Sequence, residues 1–177
     1  NDGNSMSGQT FILDNDIYLN DVSNFKNWSN TAPKNSWIPI GKSSRFSGIF
    51  DGSGFSIEGL YISGSDYRYS GLFGYTTESS EISNVNIAYE YINSTYSNNS
   101  CYAGGITAYS NGKISNCSKG GIITSSEDYF YGGGIAGYST AEISNCTNNG
   151  TVSSPFSSYN DNSYGGGIAG YSTAEIS

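Results

Sequence analysis

Isolated apolar residues recur at fixed intervals from residue 46 onward, and each is set among glycine, serine and asparagine. A glycine precedes an isoleucine or leucine, and a second isoleucine follows eight residues later. Leu72 and Ile82 keep the pattern at a spacing of ten. The aligned pairs are Ile49 with Ile57, Leu72 with Ile82, Ile106 with Ile114, Ile135 with Ile143, and Ile168 with Ile176. The alignment predicts repeat units that begin near residues 48, 71, 105, 134 and 167.

One stretch is repeated without any change. YGGGIAGYSTAEIS occupies residues 131–144 and returns 33 residues later at 164–177. Repetition with a period of 20–50 residues is typical of solenoids and other stacked arrays. We therefore expect one structural unit to be stacked, with the sequence ending partway through a unit.

The second half of each unit predicts a sharp bend. Two residues after the second isoleucine, three units have an asparagine (Asn84, Asn116 and Asn145) and another has Gly59. Glycine and asparagine tolerate positive φ best among the amino acids. A left-handed residue at this corner would turn the chain, so that the apolar residues on both sides of the corner face one core.

These units predict an all-β fold, a parallel β-helix of about five coils. Each coil would hold three short strands: the GGIAGY segment, the segment that enters the asparagine bend, and a third such as residues 121–124. A β-propeller or a β-sandwich is the alternative, but propeller blades run to about 40–50 residues with four strands. Residues 1–45 would form an N-terminal strand and cap, in which Trp28 and Trp37 cover the first coil, and residues 46–177 the solenoid.

Stacking in register predicts columns of identical side chains along the rod. Ile135 would lie over Ile168, Ile143 over Ile176, and Tyr138 over Tyr171, while Asn116 and Asn145 could form an amide ladder. The fuller columns are Leu72, Ile106, Ile135 and Ile168; Ile57, Ile82, Ile114, Ile143 and Ile176; Tyr75, Tyr109, Tyr138 and Tyr171; Tyr102, Tyr131 and Tyr164; and Asn84, Asn116 and Asn145.

Three cysteines are present, and two of them occupy the same position in adjacent units. Cys117 and Cys146 would have Cα atoms about 4.8 Å apart, which is within disulfide range, but their parallel Cβ vectors suit that bond poorly. Two buried thiols and a disulfide therefore both remain open. Cys101 has no cysteine at its equivalent position.

Charge and composition remove several classes of function. The net charge is −8 and histidine is absent, so a basic nucleic-acid surface and histidine-dependent catalytic triads are excluded. No apolar run reaches about 18 residues, so membrane insertion is not expected. The acidic residues Asp14, Asp16, Asp21 and Asp51 fit turns better than a paired-carboxylate site, and we expect no catalytic residue, metal or cofactor.

The loops between units are the better candidates for binding. Glu127, Asp128, Tyr129 and Phe130 lie in one loop, and Phe156, Tyr159 and Asp161 lie in the equivalent loop of the next unit. Aromatic rings beside carboxylates and amides can bind a glycan or a protein partner. The same side chains could instead fold over the rod and shield it.

Part of the chain resembles a known family of repeats. The segments are WIPIG at 37–41, FSGIFDGSGFSIEGLYI at 46–62 and GLFG at 71–74, followed by the GGIAGYS…ISNC units. Across roughly residues 11–177 they resemble the GLUG-motif repeats of large bacterial surface proteins. Such repeats occur in adhesin-like proteins and beside the catalytic part of immunoglobulin-A peptidases, whose zinc motif this sequence lacks. The resemblance implies an extracellular repeat scaffold.

Two functions follow as expectations. The first is a non-catalytic structural or adhesive solenoid at the cell surface, a stalk or filament subunit that associates end to end or belongs to a longer parent chain. The second is an accessory repeat region of a secreted peptidase or carbohydrate-active enzyme. A glycan or a host or cell-surface protein is the expected partner of the loops.

Overall fold

The computed structural model describes residues 4–97, 100–153 and 163–177. Its strands pair in parallel and form four sheets, which we call A to D. Sheet A contains β1 (Thr10–Ile12), β3 (Ile49–Asp51), β8 (Glu81–Ser83), β12 (Lys113–Ser115) and β16 (Ile143–Ser144). Sheet B contains β2 (Ile17–Tyr18), β4 (Ser56–Glu58), β5 (Tyr61–Gly64), β9 (Asn86–Ser94), β13 (Ser118–Ser125), β17 (Thr147–Asn148) and β18 (Thr151–Ser153).

The other two sheets begin later in the chain. Sheet C contains β7 (Phe73–Thr76), β11 (Thr107–Ser110), β15 (Ala136–Ser139) and β20 (Ala169–Ser172). Sheet D contains β6 (Tyr69–Ser70), β10 (Cys101–Gly104), β14 (Phe130–Gly133) and β19 (Tyr164–Gly166). A short 3₁₀ turn spans Phe25–Asn27.

The chain winds through the sheets in the order D, C, A, B, and the predicted parallel β-helix is confirmed. Residues 69–94, 101–125 and 130–153 each contribute to all four sheets. With the adjoining residues, these coils make about four turns, whereas about five were predicted. The first predicted unit does not form a complete coil, because it supplies strands only to sheets A and B.

Each complete coil visits four sheets, so the prediction of three strands per coil is wrong. The GGIAGY segment is not one strand: β14 ends at Gly133 and β15 begins at Ala136 in another sheet. The corner between them is held across coils, where the Gly105 N–H donates to the Gly134 carbonyl at 2.9 Å. Glycine allows this turn because it carries no Cβ that would meet the neighbouring coil.

The alignment of the first unit is also wrong. Ile49 pairs with Glu81 and not with Leu72, and Ile57 pairs with Ile87 and not with Ile82. A turn at residues 52–54 separates β3 from β4, so the two isoleucines lie in sheets A and B. Ile49 and Ile57 are therefore eight residues apart like the later pairs, but they lie in a different pair of sheets.

The N-terminal residues pack on the first coils. β1 and β2 extend sheets A and B in register with β3 and β4. Trp28 is buried, and its ring meets Phe25 and Tyr61 edge to face at centroid distances of 5.1 and 5.8 Å. The boundary near residue 45 stays a prediction.

Aliphatic columns fill the interior. Ile114 lies in register between Ile82 and Ile143, and a bridge joins Ile143 to Ile176. The Ile106 and Ile135 N–H groups donate to the carbonyls of Ile135 and Ile168. Burying each such side chain contributes about 1.5–3 kcal/mol.

The asparagine corners have the left-handed backbone that the pattern indicates. The φ angles of Asn84, Asn116 and Asn145 are 55°, 53° and 52°. The Asn84 amide donates to Asp51 Oδ1 at 2.9 Å, across to the preceding coil. This bond and a second from the Ser53 N–H lower the pKa of Asp51, which therefore stabilises a turn.

Candidate functional site

Two columns of tyrosines run along sheets D and C at positions repeated in four successive coils. In sheet D, the ring centroids of Tyr102 and Tyr131 are 4.9 Å apart with an interplanar angle of 19°. In sheet C, Tyr109 and Tyr138 are 4.6 Å apart at 15°, and Tyr138 and Tyr171 are 5.0 Å apart at 15°. The columns are Tyr69, Tyr102, Tyr131 and Tyr164 in sheet D, and Tyr75, Tyr109, Tyr138 and Tyr171 in sheet C.

The two columns also touch each other. Tyr102 meets Tyr109 edge to face at 5.4 Å, and Tyr131 meets Tyr138 in the same way at 6.0 Å. Burial within this cluster, with smaller contributions from neighbouring tyrosines, raises the pKa of Tyr109 to about 12. The Tyr109 phenol is therefore neutral at physiological pH, and the two columns together form a continuous aromatic surface. We call these eight residues the tyrosine face.

Cations lie over one end of the tyrosine face. The Arg45 guanidinium lies 4.1 Å from the centroid of the Tyr75 ring, and that of Arg68 lies 5.4 Å from Tyr69 and 5.6 Å from Tyr102. Contacts of this kind contribute about 0.5–1 kcal/mol at exposed sites. Because the net charge of the chain is −8, these arginines give this end a local charge opposite to that of the whole molecule.

Sequence reasoning missed Tyr69 and the meeting of the two columns. Tyr69 and Tyr75 are six residues apart, whereas Tyr102 and Tyr109 are seven apart. The shorter turn hid Tyr69 from an alignment based on constant spacing. An alignment anchored on tyrosines rather than on isoleucines would have found it.

The candidate binding loop at residues 127–130 divides between surface and core. Tyr129 is 48% exposed and Asp128 is exposed, while Glu127 is half-buried. Phe130 is wholly buried, so its place in a surface binding site is wrong. It starts β14 in register with Cys101, and the strand alternation turns its ring into the core.

Ser163 fastens this loop to the next coil. Its hydroxyl donates to the Asp128 carbonyl at 2.7 Å and accepts from the Phe130 N–H at 3.2 Å. The second half of the predicted binding surface, Phe156, Tyr159 and Asp161, lies outside the described residues.

The cysteines are free thiols. Cys117 and Cys146 lie on neighbouring coils, where the Thr147 N–H donates to the Cys117 carbonyl at 2.9 Å. A hydrogen bond from Cys117 lowers the pKa of the Cys146 thiol to about 7, while the same contact and burial raise the pKa of Cys117. Cys101 is buried in the core, where desolvation raises the pKa of its thiol.

A buried ion pair is the main polar feature that sequence reasoning missed. Lys119 Nζ lies 2.7 Å from Glu90 Oε1, and both side chains are wholly buried. Desolvation raises the pKa of Glu90 to about 7, against the opposing attraction of Lys119. Lys119 is in register with the buried Ile87, so it occupies an inward-facing position of its strand. A charged residue at such a position is the one signal of the pair that the sequence contains.

Two of the acidic residues near the N-terminus accept backbone N–H groups. Asp16 Oδ1 accepts the Ser56 N–H at 2.7 Å, and Asp21 Oδ1 accepts the Ser23 N–H at 2.9 Å. The bond from the Ser23 backbone lowers the pKa of Asp21. A groove of about 620 Å³ lies beside them, lined by Tyr18, Trp28 and Glu58 among others.

The described residues contain neither a metal-binding cluster nor a membrane-spanning helix. Residues 4–97, 100–153 and 163–177 hold no cluster of three or more His, Cys, Asp or Glu side chains placed to bind a metal ion. The same ranges include no helix with the length and apolar character needed to cross a bilayer.

Comparison with known proteins places a recognised repeat within this solenoid. Residues 128–153 match the family described as the GLUG motif, so this stretch carries the motif that the sequence pattern resembled. The match covers one complete unit, from the start of β14 to the end of β18, and not the segment at residues 37–74.

Two further relatives show the wider context. A "Putative Gly-rich membrane protein" of Evansella cellulosilytica is 35% identical over 83 residues, which are 46% of this chain and 9% of that protein. The crystal structure of a putative immunoglobulin A1 protease from Bacteroides ovatus superposes with a TM-score of 0.57 at 19% identity, over 96% of this chain and 58% of that one. The chain thus spans only part of either relative, and the second likeness establishes the fold alone. Fold, motif and neighbours together define a β-solenoid repeat domain.

Proposed function

We propose that this chain is a non-catalytic, extracellular structural or adhesive segment, a surface stalk or a filament subunit. The tyrosine face carries the proposal. The same side chains are repeated in four successive coils, whereas a catalytic centre needs different groups brought together at one place. Repetition of this kind supports a role in stiffness and surface presentation.

Surface location draws its support from the two relatives. One is described as a membrane protein and the other as an immunoglobulin A1 protease, and both names suit proteins that act at or beyond the cell envelope. Labelling of intact source cells with an antibody against the chain tests this. We expect labelling without permeabilisation; signal only after permeabilisation would contradict the proposal.

The proposed contacts of the solenoid are strand pairing along its axis and recognition by its loops. β19 and β20 each pair with one neighbour in the described structure, so the opposite edges could pair with further coils, of the same polypeptide or of another copy. The exposed Asp128 and Tyr129 are the candidates for a glycan or a cell-surface protein. The acidic net charge argues against a nucleic acid as partner.

Electron microscopy of the purified chain tests the structural role. We expect rods one solenoid wide that consist of copies joined end to end, because a single copy of about four coils spans only about 20 Å along its axis. Compact particles with no elongated axis would contradict it. A Tyr129→Ala variant should leave the rods unchanged, because Tyr129 lies outside the tyrosine face, and should weaken binding to a glycan array if the loop binds glycans.

A second function is favoured by one observation. The solenoid superposes on more than half of the putative immunoglobulin A1 protease, which suits an accessory repeat region of a secreted enzyme. Incubation of immunoglobulin A1 with the isolated chain should then give no cleavage, while a longer parent polypeptide should cleave it. Cleavage by the chain alone would overturn both functions.

A further inference from the structure

An amine, a carboxylate and an amide lie on three successive coils, where Glu90 and Lys119 are wholly buried and Asn148 is half-buried. Glu90 lies on β9, Lys119 on β13 and Asn148 on β17, all in sheet B. Lys119 and Asn148 are in-register partners on adjacent parallel strands. Their Cα atoms are therefore about 4.8 Å apart and their side chains leave the sheet in the same direction.

Packing against glycines brings the three groups into one strip. A Cβ atom added to Gly105 would lie 2.8 Å from Glu90 Oε2, and one added to Gly134 would lie 2.5 Å from Asn148 Cγ. Gly105 and Gly134 are themselves neighbours on adjoining coils. The carboxylate and the amide thus lie over successive glycines of the same corner.

The amine lies against the carboxylate and close to the turn that holds the amide. Lys119 Nζ is 2.7 Å from Glu90 Oε1 on one side, and a Cβ added to Gly150 would lie 2.9 Å from it on the other. Gly150 closes the turn that begins at Asn148, where its N–H donates to Asn148 Oδ1 at 2.8 Å. That N–H polarises the amide carbonyl and would stabilise negative charge on Oδ1.

The charges in this strip are poorly satisfied. Apart from each other, neither Glu90 nor Lys119 has a hydrogen-bond partner within the described part of the chain. Both are wholly shielded from water, and a buried ion pair without further hydrogen bonds repays its desolvation poorly. A reaction that converts the pair into neutral groups would remove this cost.

We propose that Lys119 and Asn148 form an intramolecular amide bond, with Glu90 as the proton acceptor. Glu90 takes a proton from the Lys119 ammonium group, and the neutral Nζ attacks Asn148 Cγ. The Nζ–Cγ bond forms and the Cγ–Nδ2 bond breaks. The protonated Glu90 donates to Nδ2, which leaves as ammonia, and Glu90 recovers a proton from Nζ.

No oxidant, metal or other reactant is needed, because the chain supplies the nucleophile, the carbonyl and the proton carrier. Burial of Glu90 and Lys119 keeps water away from the nucleophile and the proton carrier. The product joins the coil at residues 101–125 covalently to the coil at 130–153. This is a further property of the solenoid, and it does not depend on the cellular location proposed above.

Intact-mass spectrometry of the full, folded chain after incubation at neutral pH tests the proposal. We expect a mass lower than the sequence mass by about 17 Da, the mass of ammonia. Digestion of the denatured protein with an endoprotease that cleaves after glutamate should leave residues 91–127 and 143–175 joined. A folded protein with the full sequence mass would overturn the proposal.

Variants separate this bond from another route to the same mass. Asn149-Gly150 could lose ammonia by forming a backbone succinimide, but its two peptides would separate on digestion and Lys119→Arg would not prevent it. We expect Lys119→Arg and Asn148→Ala to abolish the joined peptides, and Glu90→Gln to abolish them with both partners intact. Lys113→Arg, at an exposed position on the preceding strand of the same coil, is the matched control and should retain them. Loss of mass without joined peptides, or full joining in Glu90→Gln, would contradict the mechanism.

Discussion

At the scale of single residues, the structure depends on a few side chains in unusual surroundings. Three asparagines hold left-handed corners, and one carboxylate lies in the core beside one amine. The corners could be read from sequence because asparagine recurs at the same position in three units. The ion pair could not, because a glutamate next to tyrosines is equally compatible with an outward position in a strand.

Glu90 should make the stability of the protein depend on pH. Its folded pKa is about 7, above the ordinary 4.5, so between these values the folded protein binds a proton that the unfolded chain has lost. Raising the pH across this interval therefore lowers the free energy of unfolding, by an amount on the order of 1–3 kcal/mol. Denaturant titrations at pH 5 and pH 7.5 measure it.

The control for this dependence is Glu90→Gln made in a Lys119→Arg background, in which neither protein can form the bond proposed above. The glutamine does not titrate, so the difference in stability between the Lys119→Arg protein and the double variant should shift across the interval while other groups cancel. Equal pH profiles for the two proteins would show that Glu90 does not have a raised pKa.

The left-handed corner predicts opposite results for two substitutions at Asn116. Asn116→Gly should be close to neutral, because glycine adopts φ of 53° without cost. Asn116→Ala should lose about 1–2 kcal/mol, because a Cβ without a compensating polar group is strained in this region. Thermal unfolding of the two variants decides it, and equal midpoints would contradict the conformational explanation.

At the scale of elements, the close approach of sheets C and D distinguishes this coil. A Cβ added to Gly137 would lie 2.7 Å from the Tyr131 carbonyl oxygen and 2.9 Å from the Ala103 nitrogen. The two sheets thus meet backbone to backbone, which lets the tyrosines of both sheets touch. The sequence shows that glycine recurs in each unit, but not which strands require it.

We therefore expect Gly137→Ala to destabilise the protein by about 1–3 kcal/mol, the usual cost of overpacking. Gly120→Ala is the matched control, since nothing lies within 4 Å of an added Cβ there. Urea unfolding followed by circular dichroism measures both. A Gly120→Ala loss as large as that of Gly137→Ala would mean that glycine propensity, and not sheet contact, determines the effect.

At the scale of the whole molecule, each coil buries its apolar residues only by stacking on its neighbours. Ile114 lies in the middle of a column that includes Ile82 and Ile143, and its side chain is fully buried. In such a linear array the stability of each coil depends on the interfaces with adjacent coils. Damage in a central coil should therefore spread to both sides.

Ile114→Asp should cost more than about 4 kcal/mol, because it places an unpaired charge in the core. Hydrogen exchange should show that the coils at 69–94 and 130–153 lose protection together with the coil at 101–125. Ile38→Asp, at a side chain that is 61% exposed, should leave exchange unchanged. Loss of protection confined to residues 101–125 would show that the coils are independent.

The sequence alone determined the stacking, the unit length and the left-handed corners, since these depend on local spacing and on residues with few permitted conformations. Tertiary structure decided the rest. The GGIAGY segment lies in two sheets, Ile49 and Ile57 lie in sheets A and B, and the Phe130 ring lies in the core. Tertiary structure also brought Glu90, Lys119 and Asn148 into one strip, because proximity between coils depends on how the corners bend and not on separation along the chain.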